Sequence, residues 1–188
     1  MKKLNALLIA IALSVVTGCS SIPLSTMVKL MNLNPLEADP NQIVVAVKSP
    51  GEVDVRDGDV VIDFSFRTGN PDTSFSYSYP VIVDSSYVVP VTLKSELEKD
   101  EQFTVMRLSE KDAQLMKQGQ EAVRKYRSTH EEGGAGSINV RLLSACQSDE
   151  LTWGNSELDV YLKIDQTDEF LLFLEDIDLS ELDINKNC

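Results

Sequence analysis

From position 43 onward the chain alternates apolar and polar residues with a period of two. Ile62, Phe64 and Phe66 are separated by Asp63 and Ser65. Phe75, Tyr77, Tyr79, Val81 and Val83 follow, with Ser74, Ser76 and Ser78 between and before the aromatics. Tyr87, Val89, Val91 and Leu93 repeat the spacing, as do Phe103 and Val105, then residues 138–142, 158–164 and 170–174. A two-residue period with a polar opposite face is the mark of a half-buried antiparallel strand. Residues 43–47 form a short apolar run closed by Ser49-Pro50-Gly51, and turn residues cluster at 68–72. Asp165-Gln166-Thr167-Asp168 reads as a hairpin between the last two long strands.

The period changes once to that of a helix. Ser109-Glu110-Lys111-Asp112 is a capping start, with acids suited to the helix dipole. Leu115, Met116, Gly119, Ala122, Val123 and Tyr126 then make one apolar stripe. A glycine-rich stretch at 131–137 predicts a mobile loop. Nearer the start, Ser25 caps a short helix carrying Met27, Leu30 and Met31, which Asn34-Pro35 stops. The expected fold is mainly β: an antiparallel β-sandwich with one inserted α-helix at about 109–127 and a short N-terminal helix. One globular domain is expected over 25–188, without internal repeats.

The first 18 residues read differently. Lys2 and Lys3 precede a mostly apolar run at 4–16 that is too short to span a bilayer, which needs ~20 residues. A charged start, a short apolar run and small residues at a cut describe a secretory signal peptide. The segment ends Val16-Thr17-Gly18-Cys19, and this resembles the lipobox of bacterial lipoproteins. The resemblance covers residues 1–21. It implies cleavage before Cys19, lipid on the Cys19 thiol and amine, and a short tether at 19–24. Two or more acyl chains hold a protein stably at ~0.8 kcal/mol per buried CH₂. Ser20 follows, where Asp would favour the inner membrane, so the resemblance implies the outer membrane, facing the periplasm. Nothing in the motif distinguishes that face from the cell surface.

Charge narrows the partners. The formal net charge is −13, and the leader's only charges are Lys2 and Lys3, so the mature chain is more acidic still. Nucleic acid and anionic headgroups both demand basic patches, so no nucleic-acid role is expected. Two cysteines remain after Cys19: Cys146 and Cys188. In an oxidising compartment such a pair most simply forms a disulfide. No second Cys or His stands near either one to build a zinc site.

No catalytic constellation can be assembled. His130 is the one histidine, beside the glycines, and reads as an exposed helix-end residue. There is no Gly-x-Ser-x-Gly elbow, and the glycine-rich stretch leads into a strand, so phosphate-loop readings fail. No cofactor and no metal are expected. The acids Asp165, Asp168, Glu175, Asp176 and Asp178 do not match a calcium loop and read as a charge-blunted sheet edge. Phe75, Tyr77 and Tyr79 have the types to stack sugars, but they continue into Val81 and Val83 and are expected in the core. Trp153 either covers the disulfide or stands exposed as a partner anchor. Met27, Leu30 and Met31 either meet the membrane or a membrane partner, or pack on the domain. The expected role is a lipid-anchored envelope binding or assembly subunit, with an envelope protein as partner. The alternative is a periplasmic hydrolase using carboxylates on cell-wall or glycan material.

Overall fold

Strand β1 (Val44–Pro50) is the axis of the fold, and its sequence explains why. Six of its seven residues are buried, as a strand covered on both faces requires. The computed structural model describes residues 36–147 and 157–185. Around β1 they arrange β2 (Val53–Asp54), β3 (Val60–Arg67), β4 (Phe75–Val83), β5 (Glu101–Leu108), β6 (Ala135–Leu142), β7 (Ser144–Gln147), β8 (Glu157–Lys163), β9 (Leu171–Asp178) and β10 (Asp183–Asn185). Two helices interrupt the strands: one turn, α1 (Val91–Lys94), and the long α2 (Glu110–Thr129).

Seven strands form one antiparallel sheet in the order β6-β3-β4-β5-β1-β8-β9. The sheet curls because β4 changes partner along its length. Residues 75–80 pair with β3, and only residues 81–83 pair with β5. A small second sheet, β10-β7-β2, joins β10 to β7 in parallel and β2 to β7 antiparallel. The curled sheet, the small sheet and α2 enclose the main core, centred on Phe64, Phe66, Ile62, Met106, Met116 and Leu158. The fold is therefore mainly β with one long inserted helix, as the periodicity predicts.

Helix α2 begins where the capping signal places it. Ser109 Oγ accepts from the Asp112 N–H (3.1 Å) and donates to the Asp112 carboxylate (2.7 Å). Its buried face is Ala113, Met116, Gly119, Gln120 and Val123. Gln120 is buried because its Nε2 donates to the Ala38 carbonyl (2.9 Å), while Arg124 Nη1 donates to the Leu36 carbonyl (2.7 Å). These two bonds tie the chain before β1 to one flank of α2.

Two expectations change. Residues 87–93 do not make a strand. Asp84 turns the chain by accepting from the Ser86 N–H and hydroxyl, and Pro90 stands before α1, where its missing N–H is no loss. The segment instead lays Tyr87, Val89 and Leu93 over Val44, Ala46, Val105 and Tyr161, on the outer face of the sheet. That second cluster is why β1 is buried on both sides. The glycine-rich stretch is also shorter as a loop than expected, since β6 starts at Ala135. Gly133 and Gly134 take positive φ (65° and 67°), and Arg127 donates to both of their carbonyls (2.9 and 3.3 Å).

Candidate functional site

Six of the seven expected site residues lie outside the described ones. Cys19, Met27, Leu30, Met31, Trp153 and Cys188 all lie there, as does the short N-terminal helix. Cys146 is described: it sits on β7, 2 % exposed. Asn185 of β10 stands opposite it in the parallel ladder.

Two of the five acids singled out in the sequence hold local turns. Asp165 accepts from the Thr167 N–H and hydroxyl, and Asp178 caps the turn at Ser180. These hydrogen bonds, from Thr167 and from Ser180, hold both carboxyls below the usual carboxylate range. Among the described residues no three His, Cys, Asp or Glu side chains come together as a metal site. His130 ends α2, exposed, with its ring stacked on Tyr126 at 4.0 Å.

Two polar constellations stiffen the sheet. On the open outer face of β6-β3-β4, Arg141 reaches Asp63 through Nε (2.5 Å) and Nη2 (3.0 Å), and Ser78 donates to the same carboxylate (2.5 Å). The Arg141 bonds lead in pulling the Asp63 carboxyl below its ordinary value, with Ser78 adding to them against the cost of burial. At the other end, Lys48 Nζ lies 2.9 Å from Asp159 and 3.8 Å from Glu101. The other Asp159 oxygen accepts from the Asp176 N–H (3.0 Å). Asp176 has φ 55°, and the β8–β9 register slips on either side of Val160. Asp159 thus fills the gap that the bulge opens. Burial alone would lower Lys48, but the Asp159 hydrogen bond and charge, with Glu101, hold it above the ordinary lysine value. Burial, then the Asp159 charge, pushes the neighbouring Tyr161 hydroxyl up to about 12.

The feature that does not explain itself structurally is a groove between β4 and α2. Phe75, Tyr77 and Tyr79 floor it, and Leu115, Gln118, Gly119 and Ala122 wall it, around about 330 Å³. Its lining is mostly apolar, and it opens to solvent: Tyr77 is 51 % exposed and Leu115 42 %. The aromatics form a row. Tyr126 meets Phe66 edge-on (5.4 Å), Phe66 meets Phe75 (6.0 Å), Phe75 stacks on Tyr77 (5.1 Å), and Tyr77 reaches Tyr79 (6.2 Å). Gly119 lets the helix lie on this row, because a Cβ there would stand 2.9 Å from Phe64 and 3.6 Å from Phe75.

The aromatic strand was expected to be core, and only part of it is. Tyr79 is buried and Phe75 half-buried, but Tyr77 is left over. The apolar stripe of α2 divides in the same way. Met116, Gly119 and Val123 face the core, while Leu115 and Ala122 are exposed. The stripe is wider than the face that the sheet covers, and that excess width was its signal in the sequence. The chain matches no protein-family model, and neither the curated proteins nor the solved structures include one similar to it.

Proposed function

We propose that this chain is a lipid-anchored envelope protein, a non-enzymatic binding or assembly subunit held at the outer membrane and facing the periplasm. The observation that carries the binding half is the β4–α2 groove. A large aromatic and a leucine stand exposed across an apolar cleft that the other described residues leave open. Exposed aromatics beside an apolar cleft anchor partners, since Tyr supplies area at low entropic cost. The Val16-Thr17-Gly18-Cys19 motif supports the anchor.

The Cys146–Cys188 disulfide belongs to the same proposal. The Asn185–Cys146 pairing supports it, since it leaves only three further residues to Cys188. Five residues separate Cys19 from residue 25, a tether of at most ~20 Å, so the groove would work close to the bilayer.

Two measurements test the reading. With Cys19→Ala, or with globomycin, the protein should lose its lipid mass and its membrane fraction; unchanged size and fractionation would sink the anchor. A photo-reactive residue at Tyr77 in living cells should give a discrete protein adduct, and one at Asn139, on the polar outer face, should not. Equal labelling at both positions, or none at Tyr77, would remove the binding role.

A further inference from the structure

We infer that β4 takes an extended peptide segment as an added strand along its free edge, one that drops an apolar side chain into the groove and carries a carboxylate toward each end. This rests on the partner-binding reading above and names the partner's chemistry.

The edge is read from the backbone. Successive residues of a strand aim their N–H and C=O groups to alternate sides. The Val81 carbonyl accepts from the Gly58 N–H (2.9 Å), and the Val83 N–H donates to Asp57 (2.7 Å). Both partners lie just before β3, so the odd-numbered residues face β3. The Asp84 N–H donates to Val105 of β5 (2.8 Å), so even-numbered residues face the other way. β5 pairs with β4 only from Val81 onward. Ser76 and Ser78 therefore direct their backbone groups to a side where, among the described residues, no strand lies. Pro80 brings no N–H to that side, which limits the open edge to a short stretch. Strand addition uses such an edge for affinity and neighbouring pockets for side-chain choice. Here the pocket is the groove beside it, floored by Tyr77.

Charge selects the segment. Lys111, Leu115, Gln118, Ala122 and Lys125 share one helical stripe, by their spacing of four, three, four and three. The three middle residues wall the groove, so the two exposed lysines stand at its ends. The stripe between them is about 21 Å long at 1.5 Å per residue, and six residues of strand span about 20 Å. Tyr79 lies toward the Asp112 end of α2, whose charge it feels, and Phe75 lies at Gly119, so strand and helix run side by side in opposite directions. In a chain of net charge −13 both charged positions of this stripe are basic, and Asp112 beside Tyr79 is taken up by the Ser109 hydroxyl (2.7 Å). The stripe suits a foreign segment with acids about six residues apart. A second copy of this acidic chain would have to present a lysine-flanked groove to the same lysines.

The test uses the purified lipidated protein in detergent and a seven-residue alternating peptide of Thr and Val with Asp at both ends. Binding is expected, with exchange protection at the Ser76 and Ser78 amides. N-methylating the alternate peptide amides that face β4 should weaken binding at least tenfold; methylating the other set should change it less than threefold. Ser76→Pro, whose lost N–H belongs to no ladder, should keep the thermal transition and abolish binding. Lys111→Glu with Lys125→Glu should weaken the Asp-ended peptide severalfold and favour a Lys-ended one. Equal tolerance of both methylated sets would overturn strand addition, as would no binding at millimolar peptide or a dimer joined through this edge. Tyr77 adducts in cells alongside any of these failures would leave the binding role standing and discard only this mode.

Discussion

Asn185 faces Cys146 across the parallel β10–β7 ladder, so the last strand of the chain delivers its end to the buried cysteine. The three residues that follow reach about 10 Å when extended, and a disulfide needs Cα atoms within about 7 Å. The proposed Cys146–Cys188 bond is within that reach. The loop it would close spans 42 positions, worth about 4 kcal/mol in the chain-entropy account. Cys188→Ser should lower stability by roughly that amount. Wild-type protein in reductant should fall to the same level, and the variant should ignore reductant. Two reactive thiols in the native, non-reduced protein would contradict the pairing.

Glycine substitutions should rank by what their new Cβ meets. At Gly134 (φ 67°) it would lie 2.5 Å from the buried Phe66 ring and 3.0 Å from the Arg67 carbonyl. Gly134→Ala should cost about 3 kcal/mol or more, from strain and overpacking together. At Gly119 the clash with Phe64 is offset by about 1 kcal/mol of helix propensity, leaving a net loss of about 1 kcal/mol. Gly58 has φ 87° but nothing within 4 Å, so Gly58→Ala should cost only about 1 kcal/mol of backbone strain. Urea midpoints of the three variants check the order.

Lys48→Met should be costly because it removes the cation 2.9 Å from the Asp159 carboxylate, beside Tyr161, and leaves it the Asp176 N–H. Breaking one partner of a buried pair costs roughly 3 kcal/mol. The pH dependence has a definite sign. Lys48 is raised above its ordinary 10.5 and Tyr161 above 10.0 to about 12, so the native state holds protons that the unfolded chain gives up. Stability is full below pH 10 and falls as pH rises toward 12. In Lys48→Met the alkaline limb should be shallower, as a thermal melt series from pH 8 to 12 would show.

Asp63 should contribute to the acid limb, together with Asp39, Asp84, Asp165 and Asp178, which local hydrogen bonds also hold low. The Asp63 carboxyl is held below 3.8 in the fold, so the stability it lends is present above that pH and lost as pH falls through the folded value. The pair is partly exposed, with Arg141 at 47 %, so its worth at pH 7 is below about 1 kcal/mol. Asp63→Asn should leave pH 7 stability within that margin and make its decline below about pH 4 shallower. A denaturant series above and below that pH reads it directly.

Much of this arrangement was legible in the residues. Alternation places β3 and the aromatic half of β4, and Ser109 places the start of α2 to the residue. What escaped was decided by tertiary contact. Tyr87, Val89 and Leu93 have strand spacing, yet they fold as a cover because the outer face of β1 and β8 offers Ala46 and Tyr161 to bury. β2, β7 and β10 are two to four residues long, too short for any period to register. Tyr77 and Leu115 look like core on their own elements. Only the way the helix lies, set by Gly119 against Phe64, leaves them uncovered. Asp159 was indistinguishable from its neighbours until the bulge opposite supplied its partner.

β1 also governs the order in which the molecule can come together. It lies between β5 and β8, strands that begin at residues 101 and 157. A chain delivered from its N-terminus, whether from a ribosome or through a pore, carries β1 unpaired until more than 50 further residues have emerged. Closure of contacts so distant in sequence is slow. Until β8 arrives, one edge of this strand, six of whose seven residues end up buried, stays open to any chaperone or stray strand nearby. The sheet can therefore close around β1 only after residues 157–163 are free.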